Sequence, residues 1–364
     1  MTPLRVGIDV TPLSGPRTGI GRYVTHLVAE LARRPDVEVI GTAWTLRSRR
    51  GIDLPPGARL ARRPVPARLL HSAWLRGGLP RGEWLTGRVD LLHGTNYVLP
   101  PTRVPGVLTV HDLSYVRYPE LVASASLAYG ELVPRALRRG ATVLTDSQAV
   151  ADEVAEHYRL PTDRISVTPL GVDPVWSEPP PPRLPQLPSE YVLALGTIEP
   201  RKGLDVLLAA YHQLSAERAD LPPLVLVGAS GWGEALGAAH LNPSQVIRPG
   251  YLTDEQVRAA VAHATLLAFP SRYEGFGLPP LEALAAGTPV VASDLPVTRE
   301  VLGSHATYAP VDDPAALAGA IAATLDHPPG AAEREAARAH AAGFTWSRCA
   351  KLTVEAYRRA VNRS

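Results

Sequence analysis

Short runs of β-branched and other apolar residues recur along the chain. Each closes on a Gly, Ser or Asp turn and gives way to residues with helical spacing. In the first half these runs predict strands at Arg5–Val10, Val37–Thr42, Leu91–His93, Val107–His111, Thr142–Thr145 and Ile165–Thr168. In the second half they predict Tyr191–Leu195, Leu224–Val227, Val246–Arg248, Leu266–Phe269 and Val290–Ala292. Helical patterns fall between them, among them Gly21–Arg34, Ala149–Tyr158, Leu204–Ala219, Asp254–Ala262 and Pro279–Ala286. Alternating strand and helix predicts an α/β chain whose parallel sheets are wound by helices on both faces. Such sheets bind ligands at the carboxyl ends of their strands.

The alternation breaks once, at Glu178–Pro188, EPPPPRLPQLP, which can continue neither sheet nor helix. A proline-rich stretch of this kind is a semi-rigid spacer. The predicted organisation is a domain over 1–173, a linker over 174–189, a second domain over 190–343 and a C-terminal helix within 344–364 that packs back on the first domain. A surface loop inside one domain is the alternative reading. Two similar lobes would place a ligand in the cleft between them.

Composition narrows the picture. The chain has 364 residues with 45% apolar, enough to fill two cores, and 20% charged, which argues against global disorder. Lys and Arg number 37 against 35 Asp and Glu, so charge gives no argument for a nucleic-acid partner. The single cysteine, Cys349, excludes an internal disulfide and a cysteine-built metal site and fits a reducing cytoplasm. The N-terminus does not read as a signal peptide, and no apolar run reaches the roughly 18 residues of a membrane span.

Four motifs carry candidate chemistry. Glu274-Gly-Phe-Gly-Leu-Pro-Pro-Leu-Glu282 follows a predicted strand and opens a predicted helix. Gly275 and Gly277 let the backbone approach a ligand, and Pro279 and Pro280 suit a helix start. Amides at such a turn form an anion site, and Glu282 is expected in the first helical turn. The two carboxylates would accept hydrogen bonds from sugar hydroxyls on both sides of a diphosphate; solvated glutamates at an ordinary strand–helix corner are the alternative. Next, Gly196-Thr-Ile-Glu-Pro-Arg201-Lys202-Gly203 places adjacent cations at a helix start. That is unfavourable toward the helix dipole unless an anion such as phosphate sits there.

Third, Gly15–Gly21, with Gly19 and Gly21 at the helix start, forms a glycine-rich loop or a plain turn. Asp9 just upstream has a structural reading. Fourth, His111-Asp112 stands at the carboxyl end of a strand, and Asp146-Ser147 ends the next. Each is a rim residue or a structural one. Gly250-Tyr251-Leu252 ends another strand of the second lobe.

These residues resemble the family 4 retaining glycosyltransferases, which have the GT-B fold: two Rossmann-like domains with parallel sheets facing each other across a cleft. The family's Glu, seven residues, Glu pattern reads here as Glu274 to Glu282, and the match runs on through Gly287, Pro289 and Val290. The resemblance implies that Glu274, Gly275, Phe276, Gly277 and Leu278 face the donor sugar and that Glu282 binds the ribose. It implies that Arg201 and Lys202 clamp the donor diphosphate near Gly196. It places Gly19 and Gly21 by the donor phosphate, and Tyr251 and Leu252, mostly by backbone, at the nucleobase. His111 would contact the donor sugar near the reacting carbon, Asp112 would orient it or reach the acceptor, and Asp146 would line the acceptor side.

GIDVTPL…TGIGRY, VHDLSY and GTIEPRKG together look like bacterial mannosyltransferases of cell-surface polysaccharide and O-antigen pathways. The expected donor is therefore GDP-mannose, with a UDP- or dTDP-sugar as the alternative, and the acceptor a saccharide or lipid-linked saccharide. No cofactor and no metal are expected: the cations take the metal's place as negative charge grows on the leaving diphosphate. Same-face attack is favoured over double displacement, because Glu274 resembles a hydroxyl ligand rather than a nucleophile. A GT-B epimerase and a non-catalytic sugar-binding pair of lobes are the competing classes.

Between residues 45 and 90 lie Arg47, Arg49, Arg50, Arg59, Arg62, Arg63, Arg68, Arg76, Arg81 and Arg88, interleaved with Leu69, Leu70, Trp74, Leu75, Leu79 and Trp84. This is either a solvated Arg-rich face or a surface for an anionic membrane, which would make a cytoplasmic protein peripheral on the membrane's inner face.

Overall fold

The computed structural model describes residues 2–14, 19–44, 52–61, 67–228 and 245–363, without the side chains of Ala67 and Arg68. The chain divides into two compact units, Met1–Gly171 with Thr345–Ser364, and Val172–Phe344.

The first unit is built on a seven-stranded sheet. Its strands are β1 (Leu4–Asp9), β2 (Val37–Thr42), β3 (Ala58–Leu60), β4 (Leu91–Gly94), β5 (Gly106–Thr109), β6 (Thr142–Thr145) and β7 (Ile165–Val167). They run in the order β3-β2-β1-β4-β5-β6-β7 with every pair parallel. The second unit has a six-stranded parallel sheet of β8 (Val192–Leu195), β9 (Leu224–Val227), β10 (Val246–Ile247), β11 (Leu266–Phe269), β12 (Val290–Ser293) and β13 (Thr307–Ala309), ordered β10-β9-β8-β11-β12-β13. Both sheets change winding direction between two central strands, β1 and β4 in one and β8 and β11 in the other. Such switch points leave a crevice beyond the strand ends.

Near-continuous apolar sequence suits strands covered on both faces, and β4, β6, β9, β11 and β12 are buried along their whole length. Sequence reasoning misses β3 and β13, three-residue edge strands with half-exposed patterns.

The last helix, Trp346–Asn362, belongs to the first unit. Thr345 caps it by accepting a hydrogen bond from the Arg348 amide. Trp346 stacks on His26 with centroids 4.7 Å apart, and Cys349 and Tyr357 are fully buried. The proline-rich stretch lies on the second unit. Trp176 is buried, and the carbonyls of Pro179 and Pro181 accept hydrogen bonds from Arg258 and His263 at 2.5 and 2.8 Å.

Candidate active site

In the second unit the chain leaves β8 at Gly196 and makes a tight turn, Pro200–Lys202, before the helix Leu204–Glu217. Gly203 joins them in the left-handed conformation (φ +62°), and a Cβ there would stand 2.1 Å from the Pro270 carbonyl oxygen. Only glycine lets this turn sit on the end of β11. Arg272 fastens it from the β11 side: its Nη1 donates to the Pro200 carbonyl at 2.6 Å, and its guanidinium meets Asp205 and Asp312.

This geometry brings Arg201 and Lys202 to Glu274. Lys202 Nζ lies 2.6 Å from Oε1 and Arg201 Nη1 3.2 Å from Oε2, while Arg201 Nη2 meets Glu199 at 2.6 Å. Burial alone would raise the Glu274 carboxyl, but Lys202 and Arg201 beside it bring its pKa down to about 2. The sequence reading left these cations awaiting an external anion. Here a protein carboxylate already holds them, and the turn rather than a helix start carries them. Glu199 and Arg272 escaped sequence reasoning, although Glu199 stands inside one motif singled out there and Arg272 two residues before another.

Gly277 (φ +96°) starts the helix Leu278–Ala286. That start is one residue earlier than expected, so Glu282 falls past the first turn, where it is 1% exposed. Phe276 and Leu278 are buried, Phe276 edge-on to Phe344, so their side chains serve the core. A ligand at this turn meets backbone at those two positions. Tyr251 is 91% exposed beside a buried Leu252.

In the first unit the candidate residues gather at the carboxyl ends of the strands. His111 lies two residues past β5 and is buried. Its Nδ1 is 2.7 Å from Asp146 Oδ2 and its Nε2 2.9 Å from the Thr95 carbonyl oxygen. The Thr95 carbonyl is an acceptor, so Nε2 donates to it, and Nδ1 shares a proton with the Asp146 carboxyl, whose own pKa burial raises. Burial opposes charge on the ring, but Asp146 overrides it and the His111 pKa is raised. Asp146, not Asp112, orients His111. The Asp112 carboxylate instead accepts from the amide and hydroxyl of Ser114 at 2.9 and 2.7 Å. Tyr23 and Tyr97 box the ring edge-on.

Asp9 ends β1 almost fully buried. Burial pushes its carboxyl up to about 7 despite two hydrogen bonds from Thr11. Deeper in the sheet His93 bonds Tyr357 Oη and Thr109 Oγ1, both at 2.7 Å, and Tyr23 Oη reaches the same Thr109 hydroxyl at 3.0 Å. Burial, with His111 nearby, drives the His93 pKa down to about 3, so it is neutral. Gly19 and Gly21 lie in the first turn of the helix Gly19–Ala32, which begins before the expected Gly21; Gly15–Thr18 lie outside the described residues.

Two family models match. Glycosyl transferases group 1 covers residues 181–342, and Glycosyltransferase Family 4 covers residues 17–176. The chain is 32% identical to O-antigen chain mannosyltransferase B of Escherichia coli, over 98% of this chain and all of that protein. The chain belongs to the family 4 glycosyltransferases. It is also 30% identical to the MMP alpha-(1→4)-mannosyltransferase of Mycolicibacterium hassiacum, over 95% of each chain. Among solved structures, sucrose-phosphate synthase from Thermosynechococcus elongatus matches with a TM-score of 0.77 at 20% identity, over 99% of this chain and all of that one. The fold of this glycosyltransferase is thus of the GT-B class, with two Rossmann-like units.

In the Arg-rich region of this glycosyltransferase, Leu70 and Trp74 are core residues packed with Trp44. Leu69, Leu79 and Trp84 are exposed. Arg47, Arg49, Arg50, Arg62 and Arg63 lie outside the described residues. Among the described residues no helix is long and apolar enough to cross a membrane.

Proposed function

We propose that this enzyme transfers mannose from GDP-mannose to a hydroxyl of a saccharide or lipid-linked saccharide, with retention and without a metal. The observation that carries this reading is the Glu274 carboxylate holding Arg201 and Lys202, eight residues before the buried Glu282. A donor diphosphate takes up the cations, and Glu274 is then free to accept hydrogen bonds from sugar hydroxyls. As the bond from the anomeric carbon to the phosphate oxygen breaks, its electron pair passes to the diphosphate, where Arg201, Lys202 and turn amides stabilise it. The acceptor oxygen bonds to the anomeric carbon on the same face, and its proton goes to the departing diphosphate oxygen. His111 is not the base on this reading, since Asp146 and the Thr95 carbonyl hold its two ring nitrogens.

The choice of mannose rests on the names of the relatives, both mannosyltransferases. Thermal shift across GDP-mannose, UDP-glucose, dTDP-glucose and the free diphosphates tests it, because a ligand bound only by the folded state raises apparent stability. Stabilisation by a UDP- or dTDP-sugar but not by GDP-mannose would replace the donor. A trapped glycosyl–Glu274 ester would replace the same-face mechanism. The exposed Leu69, Leu79 and Trp84 beside Arg76 and Arg81 support a peripheral site on the inner face of the cytoplasmic membrane. Flotation with anionic liposomes tests that placement; a protein left at the bottom of the gradient contradicts it.

A further inference from the structure

The first unit has a second concavity at the far end of its sheet from His111. A cavity of about 430 Å³ opens where β5 and β6 begin, at Gly106 and Thr142. Four arginines line it, Arg103, Arg139, Arg164 and Arg363, together with Leu99 and Val104. No carboxylate is among the described residues of the lining.

Arginines at helix C-termini ordinarily answer the partial negative charge there. Here other groups already meet that need. At the end of the helix Tyr129–Arg138, the carbonyls of Arg135, Ala136 and Leu137 accept from the amides of Arg139, Gly140 and Ala141. Arg164 Nη2 adds hydrogen bonds to the carbonyls of Leu137 and Ala141 at 2.9 and 2.6 Å. These bonds lock the Arg164 guanidinium in place and leave its Nε and Nη1 for a ligand. Two carboxylates stand nearby. Asp163 meets Arg363 at 3.0 Å, and Glu83 Oε1 takes the amides of Arg103 and Val104. The four guanidiniums therefore keep an excess of positive charge. Burial, then Arg135 and Arg138 on its own helix, hold the Arg139 pKa below the usual arginine value.

We propose that this cavity binds a small soluble anion carrying two or more phosphate groups. Arginine forks grip phosphate oxygens in pairs, and the volume falls in the range of roughly 300–1,000 Å³ of small-molecule sites. The cavity wall includes Ala360, one turn past the Tyr357 that bonds His93, so the ligand bears on the last turn of the C-terminal helix.

The test is thermal unfolding in sodium pyrophosphate against sodium chloride of equal ionic strength, for the full chain and for R139A/R363A. Pyrophosphate should raise the Tm of the full chain by about 2–4 °C. The double variant should lose at least half of that rise, any remainder reflecting Arg201 and Lys202. Its Tm in chloride alone is the baseline for its own shift, because loss of the Arg363–Asp163 pair also acts there. An equal pyrophosphate shift in both proteins would overturn the proposal. R103E gives the same readout from a different exposed position. Co-sedimentation with phosphatidylglycerol vesicles that depends on Arg139 and Arg363 would move the phosphate to a lipid headgroup and overturn the soluble ligand.

Discussion

Lys202 Nζ lies 2.6 Å from Glu274 Oε1, and Arg201 holds the other oxygen of the same carboxylate at 3.2 Å. Glu199 holds Arg201 as well, so two carboxylates balance the two cations, and the donor diphosphate is proposed to take the cations over from them. Lys202→Ala is expected to lower kcat/KM by about 10²–10³, the usual cost of removing one group that stabilises developing charge. Steady-state kinetics with the stabilising nucleotide sugar measures this; unchanged kcat/KM would remove Lys202 from the site.

Glu274→Gln should destabilise the protein in a pH-dependent way. The folded carboxyl sits at about 2, below its ordinary 4.5, so its contribution is present above pH 4.5 and is lost as pH falls toward 2. The gap between parent and variant should be on the order of 1–3 kcal/mol at pH 7 and should close on acidification. Denaturant titrations at pH 7 and near pH 3 compare the two.

Asp9 has the opposite sign. Its folded pKa of about 7 stands above the ordinary 3.8, so its carboxylate costs stability increasingly as pH rises from 3.8 through 7. Asp9→Asn keeps an oxygen for both Thr11 donors and removes the buried charge. A Tm increase of about 2–4 °C is expected at pH 8, with little change at pH 5. A lower Tm at pH 8 would contradict this account.

Asp146→Asn removes the carboxyl that raises the His111 pKa. A raised histidine pKa stabilises the fold below the ordinary 6.5, and that stability is lost as pH rises through the folded value. The variant should therefore fall furthest behind the parent below pH 6.5 and draw closer to it in alkali. Activity is expected to fall by about 10²-fold, because the ring loses the carboxyl that fixes its position. The His111 ring signals in NMR titrations supply a readout independent of turnover.

His93 is buried neutral, with its pKa near 3, so the unfolded chain binds one more proton between pH 6.5 and 3. Stability should fall there by up to about 1.4 kcal/mol per pH unit. His93→Gln should flatten that slope. Tyr357→Phe deletes a hydrogen bond to a buried ring nitrogen and should cost about 1–3 kcal/mol. Urea unfolding across pH 4–8 reads both effects.

The strands of both sheets were legible in the sequence because buried parallel strands are apolar throughout; β2, β6, β9 and β11 fall on their expected residues. Edge strands such as β13 carry half-exposed patterns and gave no such signal. At the site, local motifs named Glu274, Arg201, Lys202 and His111. They did not name the partners, because a contact such as His111 to Asp146 spans 35 residues and depends on strand order. Nor could spacing reveal that Phe276 turns inward to meet Phe344, which lies 68 positions on.

The C-terminal helix has a consequence for how the molecule is made. Trp346, Cys349 and Tyr357 complete the core of a unit whose other residues end at Gly171. A ribosome delivers the sheet of that unit long before it delivers this helix. The first unit to emerge must therefore wait for its last piece, while the second unit, contiguous from Val172 to Phe344, has all its residues in hand and can fold first.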